Sequence, residues 1–228
     1  MSTEHQIKEE RDQTVAEEVV NAITHGVGML LALGAYGVLV GFAAAQAAKG
    51  IEGSAYLIVS AALYGIMMFV MYMSSMLYHA AMHTTLKNAL NILDHNAIYL
   101  MIAGTYTPFT LGALREYSAG WGWSIFGVIW GLAIIGIVFQ SCFINRYRAL
   151  STATYVLMGW VAIVAVYPMY KALGPWGLFW VFIGGVCYTL GVVFYSWKSL
   201  PFAHAIWHLF ILAGSMAHFF AILFYVIL

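Results

Sequence analysis

The sequence predicts an all-α membrane protein: a bundle of seven transmembrane helices, N-terminus cytoplasmic and C-terminus outside. Three observations carry this. Of 228 residues, 63% are hydrophobic and 8% charged, whereas a soluble domain carries about 25% charged residues. The apolar residues fall into seven stretches, each reaching the roughly 20 residues a helix needs to cross a bilayer. Lys and Arg are shared unequally between the polar segments that separate them.

Residues 1–13 are polar and mixed in charge, which predicts a mobile tail ahead of one helical domain over 14–228. They are too acidic for a signal peptide, and the first apolar run shows no convincing cleavage site. Thr14-x-x-Glu17 fits a capping box, so a helix starts there. It runs through Glu17, Glu18, Asn21 and His25 into a first span ending near Ala45. Lys49 to Gly53 is a short loop. The second span covers Ser54 to Ala81 and ends in Ser74, Ser75 and His79. After a loop at His83 to Asn88, the third runs from about Leu90 to Leu114. It opens with Asp94 and His95, and Pro108 should loosen its far end. Arg115 to Gly120 is a loop. The fourth span, Trp121 to about Ile144, contains Gly127-x-x-x-Gly131, which predicts a close helix contact. Asn145 to Arg148 is a basic loop. The fifth span, Ala149 to Tyr170, ends in a tight turn at Lys171 to Gly174. The sixth opens on Pro175, a good first helical residue, and ends at Trp197. The seventh opens on Pro201 and runs to Leu228.

With seven spans, one side holds the tail and the loops after the second, fourth and sixth. It carries Lys8, Arg11, Lys87, Arg146, Arg148 and Lys198, against Lys49, Arg115 and Lys171 opposite. The richer side is cytoplasmic by the positive-inside rule. Formal net charge is zero, so nothing suggests a nucleic-acid partner. Cys142 and Cys187 sit in apolar stretches and read as buried thiols without a disulfide.

Polar residues in a bilayer are expensive and tend to mark function. On this topology His25, Ser75, His79, Asp94, His95, His204 and His208 all fall in the cytoplasmic leaflet. His204 and His208 are four apart, one turn apart on one helix face. Two imidazoles so placed can hold one metal ion. His79 can supply a third nitrogen, and three protein ligands with one open position is the pattern of catalytic zinc. Asp94 is the natural partner of the activated water, or a direct ligand. Ser75 lies one turn before His79 and can bond the water, an oxyanion or Asp94. Glu18, Asn21 and His25 share a face of the first span and can orient the ligands. His218 stands about 15 Å beyond His208 along the helix, too far for the same ion.

Each residue has a plainer alternative. The H-x-x-x-H spacing can arise by chance. His79 can be an interfacial histidine, and Asp94 can cap the third helix. Ser75 can bond its own backbone. Glu17 and Glu18 can form a solvated first turn. His95 and His218 read as structural or hydrogen-bonding residues.

Four segments then carry a resemblance: Glu18-x-x-Asn21-x-x-x-His25, Ser75-Met-Leu-Tyr-His79, Leu93-Asp94-His95 with Ala103-Gly-Thr-Tyr-Thr-Pro-Phe109, and Pro201-Phe-Ala-His204-Ala-Ile-Trp-His208 with His218. In this order and spacing the chain resembles the bacterial hemolysin III-like members of the progestin and adipoQ receptor family, from about Glu17 onward. The resemblance implies zinc on His79, His204 and His208 in the inner leaflet, with Asp94 close by through water and Ser75 beside it. Related eukaryotic receptors are similar to alkaline ceramidases, and bacterial members are linked to lipid homeostasis. The short tail lacks the extra domain of the adipokine receptors, so no adipokine partner is expected. The reading that follows is a zinc-dependent hydrolase of a lipid amide or ester in the bacterial inner membrane. The alternative is a non-catalytic sensor of membrane state with structural zinc. A proton channel or transporter is disfavoured because the polar groups stop midway across the membrane.

Overall fold

The computed structural model describes residues 13–143 and 147–228, with only the backbone of Arg148. Most of the expected tail (1–12), together with Asn145 and Arg146 of the expected basic loop, lies outside the described residues. So do three of the counted cations: Lys8, Arg11 and Arg146.

Among the described residues the fold is helical throughout. Helix α1 is Val15–Ala48 and α2 is Ser54–Ala80. Helix α3 is Thr84–Thr107, continued by a π-helix at Pro108–Leu114 and a last turn at Arg115–Tyr117. Helix α4 is Ala119–Phe143. Helix α5, Arg148–Gly159, passes through a 3-10 stretch, Trp160–Ala165, into α6, Val166–Ser196. Helix α7, Ala203–Ile222, ends in a π-helix at Leu223–Ile227.

Six helical runs among the described residues are long and apolar enough to cross a membrane. The fifth, Ala149–Ser196, is 48 residues long. At about 1.5 Å per residue it would reach roughly 72 Å if straight. It is not straight. Gly174 has φ 69° and ψ 178°, a conformation essentially reserved for glycine, and Pro175 bars the residue before it from helical geometry. The expected turn at Lys171–Gly174 is therefore one broken residue, with helix on both sides.

The helix packing follows from where small and aromatic residues fall. Helix α1 lies against α2 and meets α7; α2 packs on α3, α3 on α4, and α6 on α7. Tyr64, Tyr72, Tyr99, Leu39 and Ile129 are fully buried between them. The outer surface is apolar too: Leu30, Leu31, Ile134, Ile135 and Val164 are all exposed. A hydrocarbon surround makes that arrangement favourable, whereas water would not.

Pro108 has the effect its missing N–H requires. The helix widens there into the π-helix, and Thr107 and Thr110 donate their hydroxyls to the carbonyls of Ala103 and Tyr106 at 2.8 and 3.0 Å. Helical structure also begins earlier and ends later than expected around α3. Thr84 already opens it, and Arg115–Tyr117 continues it.

Two expectations are corrected. A Cβ added at Gly127 or Gly131 meets nothing within 4 Å, so this pair makes no close contact. The buried stripe of α4 is Gly122, Ile125, Ile129, Ala133, Gly136 and Gln140, on another side of the helix. Cys142 is exposed and Cys187 only partly buried; their apolar surroundings are the outer surface as much as the core. A Cβ on Gly122 would stand 2.7 Å from both Arg115 Cα and the Thr110 carbonyl oxygen, backbone atoms that cannot swing aside. Gly122→Ala is expected to destabilise the protein by about 1–3 kcal/mol. Gly127→Ala should stay within about 0.5 kcal/mol of the parent. Thermal unfolding of the two variants in the same detergent checks the pair.

Candidate metal centre

The site is assembled by the first three turns of α1, the last turn of α2, the Asp94 stretch of α3 and the first two turns of α7. Thr14 caps α1: its hydroxyl accepts the Glu17 N–H at 3.3 Å, and Glu17 Oε2 accepts the Thr14 N–H at 2.8 Å. This is the expected capping box. The solvated reading of that turn does not hold for Glu17, which is 4% exposed. Its Oε1 accepts the backbone N–H of Phe202 at 2.8 Å, drawing the carboxylate inward.

Glu18 faces α2. Its carboxylate accepts from His79 Nδ1 at 2.6 Å and from Lys87 Nζ at 2.8 Å. A carboxylate can only accept, so His79 carries its proton on Nδ1, and Nε2 is left as a lone pair. His208 is fixed in the same way by a residue that sequence reasoning missed. Thr24 gives its one hydroxyl proton to the Asn21 carbonyl at 2.9 Å. Its oxygen must then accept from His208 Nδ1, 3.0 Å away, and again Nε2 is left as a lone pair. Such partners on the far nitrogen are what metal-binding histidines ordinarily have.

The Nε2 atoms of His79, His204 and His208 are buried without a hydrogen-bond partner. Buried polar atoms are rarely left unsatisfied, so three side by side need an explanation. One ligand atom from each ring lies within 4.8 Å of those of the other two. Ring centroids are 4.6 to 5.2 Å apart. The residues therefore fit a metal ion: three clustered imidazoles, each with a buried nitrogen lacking a partner, two of them held on the far nitrogen by Glu18 and Thr24.

The other singled-out residues surround this group. Asp94 is buried, holds a hydrogen bond with Ser75, and lines the same cavity as His79 and His204. It is not part of the ligand-spaced group, which leaves the carboxylate beside the centre and not in it. His25 stacks on His208 with centroids 3.4 Å apart. Asn21 is fully buried and donates its side-chain amide to Gln13 at 2.7 Å. His95 donates Nδ1–H to the Asn91 carbonyl at 2.9 Å. His218 lies away from the centre, its Nε2 3.1 Å from the Val181 carbonyl oxygen.

A cavity of about 830 Å³ opens from this cluster. It is lined at one end by Glu18, His79, Asp94 and His204, and at the other by Tyr170, Pro175 and Phe179. Between them its wall is mainly apolar, including Ile102, Phe109 and Ile211. Several lining residues, Ile163, Val166 and Phe182 among them, are exposed. The volume is that of a site for a small molecule or a lipid chain.

The family model described as "Haemolysin-III related" matches residues 13–219. The chain is 47% identical over 212 residues to "Hemolysin-3 homolog" of Bacillus subtilis (strain 168), covering 93% of this chain and 95% of that one. It is 45% identical over 215 residues to "Hemolysin-3" of Bacillus cereus, 94% of each chain. It is 29% identical over 171 residues to the human "Monocyte to macrophage differentiation factor", 72% of this chain and 69% of that one. With its membrane-length helices, the chain is an integral membrane protein and belongs to the haemolysin-III related family.

Proposed function

We propose that the protein is a zinc-dependent hydrolase of a lipid amide or ester, working in the inner leaflet of the bacterial inner membrane. One observation carries the reading: three unpartnered imidazole nitrogens converge beside the Asp94–Ser75 pair at the end of an apolar cavity. The reading also takes seven crossings, the break at Gly174 dividing the 48-residue run into two. With the richer share of Lys and Arg inside, the N-terminus is cytoplasmic and the C-terminus outside.

In this reading His79, His204 and His208 hold the zinc, and Glu18 and Thr24 keep two of those rings turned toward it. Zinc, when bound, supplies Lewis-acid polarisation and an acidified water. Asp94 takes a proton at its carboxylate and returns it to the departing amine or alcohol. Ser75 donates its one hydroxyl proton to that carboxylate and holds it in place; once Asp94 has taken a proton, the hydroxyl is free to turn to the developing oxyanion. The apolar walls exclude bulk water and accept an acyl chain, which favours a lipid over a soluble substrate. His25 and Asn21 back the ligand rings from α1.

Purified protein incubated with a bacterial lipid extract should deplete an amide or ester species and release the matching fatty acid, as read by mass spectrometry. A zinc chelator should stop it. Protein that binds zinc, loses stability without it and leaves every lipid intact would overturn the hydrolase. It would favour zinc as a pin between helices in a sensor of membrane state.

A further inference from the structure

We infer that Glu17 is a positioning residue of the metal centre, acting through the backbone of Phe202 to set where His204 and His208 stand. The inference rests on the metal reading above and deepens it. Glu17 is buried, and its two oxygens serve two different helices. Oε2 closes the cap of α1, accepting from Thr14 N and Thr14 Oγ1 at 2.8 and 3.0 Å. Oε1 accepts the N–H of Phe202 at 2.8 Å, 185 residues away.

Phe202 is the residue on which α7 begins, and it has φ 57°, the one positive φ outside glycine among the described residues. A bulky side chain adopts that conformation only where the surroundings hold it. The Glu17 carboxylate supplies such a hold. It also sets a negative charge at the N-terminus of α7, where the helix dipole favours one. His204 is two residues beyond Phe202, and His208 one turn further. A small rotation of this first turn would carry both nitrogens away from His79. Adjacent carboxylates thus divide the work: Glu18 turns the His79 ring, and Glu17 fixes the helix that brings the other two.

The test uses the full chain in detergent, with zinc affinity measured by chelator competition and the visible spectrum of the cobalt-substituted protein. Glu17→Ala should bind zinc about tenfold to a hundredfold more weakly, the range for losing a residue that orients ligands, with an altered cobalt spectrum. Glu17→Gln keeps an oxygen for the Phe202 N–H. It should lose less than Glu17→Ala and keep the parent spectrum. Thr14→Ala removes a side-chain cap of α1 while leaving the tie to Phe202, and should keep near-parental zinc affinity.

Glu17→Ala with parental affinity and spectrum would overturn the inference. So would a Thr14→Ala loss as large as that of Glu17→Ala, since any loosening of α1 would then suffice. If Glu17→Ala does not fold, Glu17→Asp takes its place, one methylene too short to reach the Phe202 N–H: weaker zinc binding than by Thr14→Ala supports the inference, and equal binding overturns it. A parent protein that binds neither zinc nor cobalt would remove the metal reading itself, and this inference with it.

Discussion

His208→Ala protein is expected to lose its zinc. Residues that merely orient a ligand are worth about 10- to 100-fold in metal affinity, so removing a ligand should weaken binding by more than about a hundredfold on the same scale. His204→Ala should behave alike, because its ring belongs to the same ligand-spaced group and its Nε2 is buried without a partner. The control is His218→Ala. That residue is on the same helix but spends its Nε2 on the Val181 carbonyl, and its removal should leave zinc content at the parental level. Metal analysis of the three variants after identical purification separates a three-histidine centre from adventitious zinc. Equal zinc in all three would mean that the ion is bound elsewhere.

The second large effect concerns Asp94. Asp94→Ala is expected to abolish lipid turnover while the protein keeps its zinc. A positioned general acid–base is worth about 10²–10⁴-fold in rate. Because Asp94 is outside the ligand-spaced group, the metal should stay. Retained zinc with lost turnover distinguishes a proton-handling carboxylate from a ligand. Loss of both would return Asp94 to the coordination sphere. Parental turnover would remove it from the chemistry. Ser75→Ala should give a smaller loss in the same assay, since it leaves the Asp94 carboxyl in place without its partner.

The centre was legible where its signals are local. Four-residue spacing puts His204 and His208 on one face, and alternation of helix direction brings His79 to their depth. The capping box at Thr14 and Glu17 was legible for the same reason. What bridges distant segments was not. Thr24 meets His208 across 184 positions, and Glu17 meets Phe202 across 185; no spacing rule connects the first helix to the last. Glu17 looked solvated because an acidic first turn usually is, and here the start of α7 covers it.

The outward Gly127 and Gly131 point to a limit set by the solvent. In water, the apolar face of a helix is the buried one. In lipid both faces are apolar, so the sequence does not tell which side of α4 meets α3. The exposed Cys142 follows from the same ambiguity. Gly174 was legible as a breaker through its neighbour Pro175, yet helix resumes so directly that one continuous run of 48 residues results.

X-ray absorption at the zinc edge of the purified protein tests the centre most directly. Three imidazole nitrogens at about 2.0–2.1 Å and no sulfur, lost together in His208→Ala, are the predicted result. Protein that retains no zinc, or an edge dominated by sulfur or by oxygen alone, would contradict it.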